Sequence, residues 1–233
     1  MELDTFLELA RRRRATRHFT DQPLPVGVLD KLLEAARWSP SGYNLQPTHY
    51  VAVTEPAHRA ALRRACMDQQ QITEAPAVVV FCGDRLVARH HFDAVLALDK
   101  QAGAINAEYE RLLRKYVPLA FGTGPAGLGW LWKALLLPVA ARAAAVPSIP
   151  AVHRRYWLAK QAGLSAMSFM LAATAAGLAT CPMEGFSDRL VRKVLGLPRH
   201  IVPMIVVPVG YSATPDAIKT RLPAERVVHR EKW

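Results

Sequence analysis

The stretch RRYWLAKQAGLSAMSFMLAATAAG, residues 154–177, constrains the fold more than any other part of the chain. Its period is helical, yet apolar residues occupy nearly all of its circumference, so it has to lie inside the protein, not on its surface. Something must surround it. AVVVFCG (77–83) is apolar on both faces and reads as a buried central strand, MIVVPVG (204–210) as a second strong strand and HYVAVT (49–54) as a third. Three strands among five or more helices, with one helix at the centre, predict an α+β layered fold.

The rest of the chain fills in this plan. Asp4 is placed to cap a first helix with Phe6, Leu9 and Ala10 on one face, and one turn later that face carries Arg13, which is therefore predicted to point inward. A second helix follows Pro23 and Pro25, presents Val28, Leu29, Leu32, Leu33 and Ala36, and stops at SPSG. A helix is predicted over 56–67 and a long helical stretch over roughly 85–115. Residues 116–150, rich in Gly, Pro, Trp, Leu and Ala, differ in character and read as an apolar insertion or lid. The 233 residues form one domain on this reading, since nothing resembles a linker.

Charge narrows the function classes. The formal net charge is +11, which favours phosphates, anionic cofactors, nucleic acid or an anionic membrane surface. No zinc-finger spacing, RNP-type aromatic motif or heptad-linked basic region accompanies it, so a non-enzymatic nucleic-acid-binding protein is the competing class rather than the leading one. Cys66, Cys82 and Cys181 are widely spaced and odd in number, which fits buried thiols in a reducing cytoplasm. The N-terminus places apolar residues before its arginines, the reverse of a secretory signal. His90 and His91 offer metal-type side chains, but neighbours on a helix project about 100° apart, so no metal shared between them is expected.

The informative motifs are RRATRHF (13–19), SPSGYNLQP (39–47), DQQQ (68–71), AKQ (159–161), PMEGF (182–186) and KTRLP (219–223). Their order and spacing resemble the FMN-dependent nitroreductase family over nearly the whole chain apart from 116–150. That resemblance implies a mixed sheet flanked by helices, an intertwined homodimer with FMN at the interface, and NADH or NADPH as electron donor. It implies that Arg13, with Arg14 beside it and with Lys219 and Arg221, holds the FMN phosphate. A guanidinium fork and a nearby ammonium suit phosphate oxygens. Arg17 is placed beside the pyrimidine edge of the flavin, where a cation stabilises the reduced ring. Pro40, Ser41, Gly42 and Asn44 are implied to reach the flavin of the other subunit. Pro182 and Met183 lead into Glu184 and Gly185, whose main-chain N–H groups are implied to lie near N5. Gln161, Asp68 and Gln69 would complete the hydrogen bonds to the ring and ribityl chain.

Three departures from the family pattern stand out. Ala15 takes the place of a common serine, Asp68 stands where an amide is more usual, and Thr48 follows Gln46 and Pro47 where a tryptophan is frequent. The function implied is hydride transfer through flavin N5 to a nitroaromatic, quinone or activated alkene by a ping-pong mechanism, with no side chain required as acid or base. Reductive dehalogenation or flavin degradation on the same fold stays open. The segment 127–147 is too interrupted by Lys133, Pro138 and Arg142 to span a bilayer. Packing against a dimer partner, a lid at the active-site mouth and a peripheral membrane contact of a cytoplasmic protein all remain open for it.

Overall fold

In a computed structural model, which describes residues 2–122, 128–143, 150–214 and 218–233, strand β2 (Ala77–Asp84) is buried along its whole length. It lies between β1 (Thr48–Val53) and β4 (Ile201–Gly210), and the short β3 (Ala179–Thr180) completes the order β1-β2-β4-β3. All three pairings are antiparallel. The parallel component within one chain is the isolated bridge between Ala15 and Thr180.

Alternation along β2 divides the core in two. Val78, Val80 and Cys82 face Leu62 and Ala65 of α3 (Pro56–Ala65), Ile72 of α4 (Gln71–Glu74) and Val191 of α10 (Asp188–Val194). Ala77, Val79 and Phe81 face Leu32 and Ala36 of α2 (Val28–Arg37) and Ala162, Ala166, Phe169 and Ala173 of α9 (Arg154–Ala175). The Phe81 and Phe169 rings meet edge-on at 5.6 Å. Gly83 is required where α9 crosses: a Cβ there would stand 2.9 Å from the Leu158 Cβ.

Helix α9 is the central helix expected, but one chain covers only part of it. Trp157, Leu158, Ala162, Phe169 and Met170 are buried, whereas Leu164 and Met167 are exposed. Helix α1 (Leu3–Arg12) buries no residue at all, although Phe6, Leu9 and Ala10 do form an apolar face. Its N-cap is Glu2 rather than Asp4, and Asp4 occupies the first turn, where its charge meets the positive end of the helix. Arg13 follows the helix in extended conformation and is half-buried.

The stretch over 85–115 is not one helix. It divides into α5 (Val87–His90), α6 (Phe92–Gln101) and α7 (Ala107–Phe121). Gly103 adopts a left-handed φ of +68° just after α6, and the Asn106 side chain accepts from the Tyr109 N–H at 2.8 Å to start α7. α7 therefore runs past residue 116 into the predicted insertion. The described remainder of that insertion is α8 (Gly129–Ala143), while 123–127 and 144–149 lie outside the described residues. Lys133 is buried, and its Nζ donates to Leu119 O at 2.6 Å and Gly122 O at 2.7 Å. These are carbonyls at the end of α7, which a cation suits. Leu131, Trp132, Leu135, Leu136 and Val139 of α8 remain exposed. Among the described residues no helix is long and apolar enough to cross a membrane.

Candidate active site

The segment after α1 carries the arginines to the sheet edge by main-chain pairing. Thr16 N donates to Thr180 O at 2.9 Å, Thr20 N to Tyr211 O at 2.9 Å, and Ala213 N to His18 O at 2.9 Å. This sets residues 13–20 between β3 and the chain leaving β4, so the C-terminal basic motif arrives beside Arg13. Lys219 Nζ donates to Ala10 O at 2.9 Å and to Arg13 O at 3.1 Å, which anchors it on the last turn of α1.

The electrostatics of this corner are those of an anion site. Arg13 is held below its usual pKa by burial and then by the charges of Arg221 and Arg14. Lys219 is lowered by desolvation, and then by Arg13, Arg221 and Arg14. Among the described residues Arg13, Lys219 and Arg221 take part in no ion pair, and Arg13 Nε is buried without a hydrogen-bond partner. Arg13, Lys219 and Arg221 stand within one another's fields, which is unfavourable unless an anion joins them. A cavity of about 220 Å³ beside them is lined by Arg12, Arg13, Arg14, Gly177, Leu178 and Ala179.

The loop 182–186 leaves the same edge. Met183 exchanges both main-chain hydrogen bonds with Val206, at 2.8 and 3.0 Å, which fixes the loop to β4. Gln69 Nε2 ties it from the other side, donating to Gly185 O at 3.0 Å and Cys66 O at 3.1 Å. Held in this way, the N–H groups of Glu184 and Gly185 donate to nothing among the described residues. Met67 and Asp68 both have φ of +55°, a conformation unfavourable for non-glycine residues. Arg63 Nε stabilises this turn by donating to Asp68 O at 3.0 Å, while the Asp68 side chain is exposed. Arg17 is exposed and close enough to lower the pKa of buried Cys181, which desolvation raises more strongly. One chain therefore gathers Arg13, Arg14, Ala15, Arg17, Gln69, Asp68, Pro182–Gly185, Lys219 and Arg221 along one edge.

The loop 39–47 belongs elsewhere. Ser39 Oγ donates to Ser168 Oγ at 2.8 Å, and Gly42 N donates to Gln161 Oε1 at 2.9 Å, both on α9. Asn44 Nδ2 reaches Asp99 Oδ1 at 3.0 Å, and Ser41 Oγ accepts from Gln46 N at 2.9 Å. A Cβ at Gly42 would press on Trp157, lying 3.2 Å from its Nε1 and 3.3 Å from its Cζ2. Tyr43, Asn44 and Gln46 all have positive φ, so the loop is held in a strained shape by these contacts. A cavity of about 400 Å³ includes Pro40, Ser41, Gln46, Tyr50 and Gln161 in its lining.

The predicted residues thus form two groups, and Gln161 joins the loop group. No hydrogen bond among the described residues links the loop 39–47 to Arg13, Arg17, Gln69, Glu184, Gly185, Lys219 or Arg221. Sequence reasoning missed Gln71, a buried side chain whose Nε2 holds Gln69 Oε1 at 3.0 Å, and Trp157, which supports Gly42. The signal for Trp157 was its position four residues before Gln161, on the same helix face.

Known proteins resemble this chain over most of its length. A 32% identical relative over 219 residues, covering 94% of this chain and 92% of its own, is an NADH dehydrogenase of Thermus thermophilus. YodC of Bacillus subtilis, a candidate NAD(P)H nitroreductase, is 28% identical over 222 residues, 95% of this chain and 96% of its own. A candidate nitroreductase of Exiguobacterium sibiricum, solved in complex with FMN, shares the fold with a TM-score of 0.74 at 20% identity, covering 97% of each chain. The family model described as the nitroreductase family spans residues 10–211, from the turn before Arg13 to the end of β4, and the chain belongs to that family.

Proposed function

We propose that this chain is an NAD(P)H-dependent oxidoreductase that binds FMN in a site built by two copies of the chain. The observation that carries the reading is the group of Arg13, Arg14, Lys219 and Arg221, with a buried Arg13 Nε that lacks an acceptor. A terminal phosphate supplies the missing acceptor and charge. Arg13, Arg14, Lys219 and Arg221 would hold the phosphate. Ala15 leaves that contact to main chain and cations, since it has no hydroxyl. Pro182 and Met183 would carry the unused N–H groups of Glu184 and Gly185 to the ring, Gln69 would fix them there with Asp68 at the turn, and Arg17 would offset negative charge. Pro40, Ser41, Gly42 and Asn44, braced by Gln161, would come from the second chain. The exposed apolar faces of α1 and of α9 around Leu164 and Met167 support a homodimer.

Held there, FMN would supply hydride transfer from NADH or NADPH to a nitroaromatic, quinone or activated alkene in two half-reactions. The chain's residues would orient it, tune its potential and shape the pocket, and the hydride step requires no side chain as acid or base. Helix α8, pinned to α7 through Lys133 with apolar residues outward, would border the pocket mouth and favour bulky apolar acceptors.

The test is reconstitution of the protein with FMN, then steady-state kinetics with each nicotinamide donor and a nitroaromatic or quinone acceptor. Stoichiometric FMN and parallel double-reciprocal lines are expected. Absence of flavin binding, or lines that intersect, would overturn the reading. Replacing 124–148 with a short Gly-Ser linker should lower turnover of a long-tailed quinone selectively, and equal effects on a small nitroaromatic would remove α8 from the pocket.

A further inference from the structure

Several histidines converge on one buried carboxylate away from the cationic corner. Asp84, at the end of β2, is 1% exposed; its Oδ1 accepts from Leu86 N at 2.7 Å and its Oδ2 lies 2.7 Å from His90 Nδ1. On one side stand His49 of β1 and His91, just before α6, with ring centroids 5.6 Å apart. On the other, the His90 and His200 rings meet edge-on at 4.9 Å. In each trio, His49–Asp84–His91 and Asp84–His90–His200, the potential ligand atoms lie within 4.8 Å of one another. Arg85 and Arg154 add positive charge nearby.

The two trios differ in what their nitrogens already do. His91 Nδ1 lies 3.0 Å from Leu45 O. A carbonyl only accepts, so Nδ1 carries a proton, which leaves Nε2 as the nitrogen that a metal could take. His49 Nε2 is buried with no hydrogen-bond partner. His90, by contrast, is exposed, and its Nδ1 is engaged with Asp84. Both His49 and His91 line the 400 Å³ cavity beneath the loop 39–47.

We propose that His49, Asp84 and His91 form a binding site for a divalent first-row transition cation of the zinc class, with an open coordination position toward that cavity. Two imidazoles and a carboxylate are a ligand set such ions take. A tetrahedral centre with bonds of about 2.0–2.1 Å needs ligand separations of about 3.4 Å, so a bound ion would draw these atoms, which lie within 4.8 Å of one another, closer together. The outer contacts are those a metal site requires: Leu45 O orients His91, and His90 with Leu86 N orients Asp84. In this arrangement His91 is a ligand and His90 supports the carboxylate. Because Leu45 lies within the loop 39–47, a cation fixes the base of that loop.

The experiment uses the full chain without a histidine tag, treated with chelator and dialysed against Co²⁺. One Co²⁺ per chain, with the visible absorption of a low-coordinate site and displacement by Zn²⁺, is expected. His49→Ala and His91→Ala should weaken affinity by at least about tenfold, while His58→Ala, on the exposed face of α3, leaves it unchanged. Circular dichroism checks each variant's fold, and His49→Gln and His91→Gln replace any alanine variant that does not fold. No bound Co²⁺, retention of affinity in the folded His49 and His91 variants, or loss in His200→Ala with His49→Ala unaffected would overturn the assignment.

Discussion

Replacing Arg13 with alanine separates a ligand-directed arginine from a structural one. Arg13 Nε has no partner within the described chain, and its charge is opposed by Arg14 and Arg221. Removing it therefore takes no intramolecular side-chain bond from the unliganded protein and relieves like-charge repulsion. The Arg13 carbonyl, which accepts from Lys219 Nζ, survives the substitution. The melting temperature without flavin should stay level or rise. FMN affinity should fall, because a hydrogen bond to a charged group contributes about 1.5–3 kcal/mol, which is about 10- to 140-fold in Kd. Arg12, exposed beside the same cavity, acts only through screened charge and should contribute under about 1 kcal/mol, or about fivefold. Fluorescence titration of FMN against wild type, Arg13→Ala and Arg12→Ala measures both. Equal losses in the two variants, or a marked drop in the stability of flavin-free Arg13→Ala, would refute the reasoning.

Other consequences are as direct. Gly83→Ala should cost about 1–3 kcal/mol by overpacking against Leu158 and lower the melting temperature by about 2–4 °C per kcal/mol; an unchanged melt contradicts the close approach of α9. Arg17→Ala should lower the flavin midpoint potential by removing positive charge, with Arg17→Lys shifted less, and an unchanged potential would make Arg17 structural. Burial pushes the Cys66 and Cys82 thiols from 9.0 up to about 12, so between these values the native state binds more protons than the unfolded chain. Stability should then fall as pH rises above 9, each thiol adding a slope of up to about 1.4 kcal/mol per pH unit. Denaturant melts of Cys82→Ala should show a shallower alkaline decline, and an identical decline would mean that the thiol ionises in place.

What could be read from the sequence was local. The unbroken apolar run of β2 and the helical period of 154–177 announce burial without knowledge of any partner. Arg13 departs from a solvated pattern by its helix face, and the C-terminal cations could be joined to it only through the family likeness of KTRLP. Relations that depend on register were not legible. His49 and Asp84 are 35 positions apart, and they meet because antiparallel β1 and β2 pair His49 with Cys82 and Thr48 with Gly83. Gly42 and Trp157 likewise meet only once α9 crosses the loop. The left-handed backbone at Tyr43, Gln46 and Met67 has no local signal, since none of these is a residue that favours it; tertiary contacts impose it. The broken helix over 85–115 was legible after the fact in Gly103 and Asn106, but helical period alone does not place ends.

The division of the site into two groups is the centre of the account, and mixed dimers test it. One tagged chain carries Arg13→Ala with an intact loop 39–47, and a differently tagged chain carries Gly42→Leu, which displaces that loop from Trp157, with Arg13 intact. Each homodimer should bind FMN weakly. If the site combines the Arg13 edge of one chain with the loop of the other, the purified mixed dimer contains one site with both defects and one with none. FMN titration should then give one flavin per dimer at wild-type affinity. If each site is made by a single chain, both sites in the mixed dimer are defective and no tight FMN binding returns.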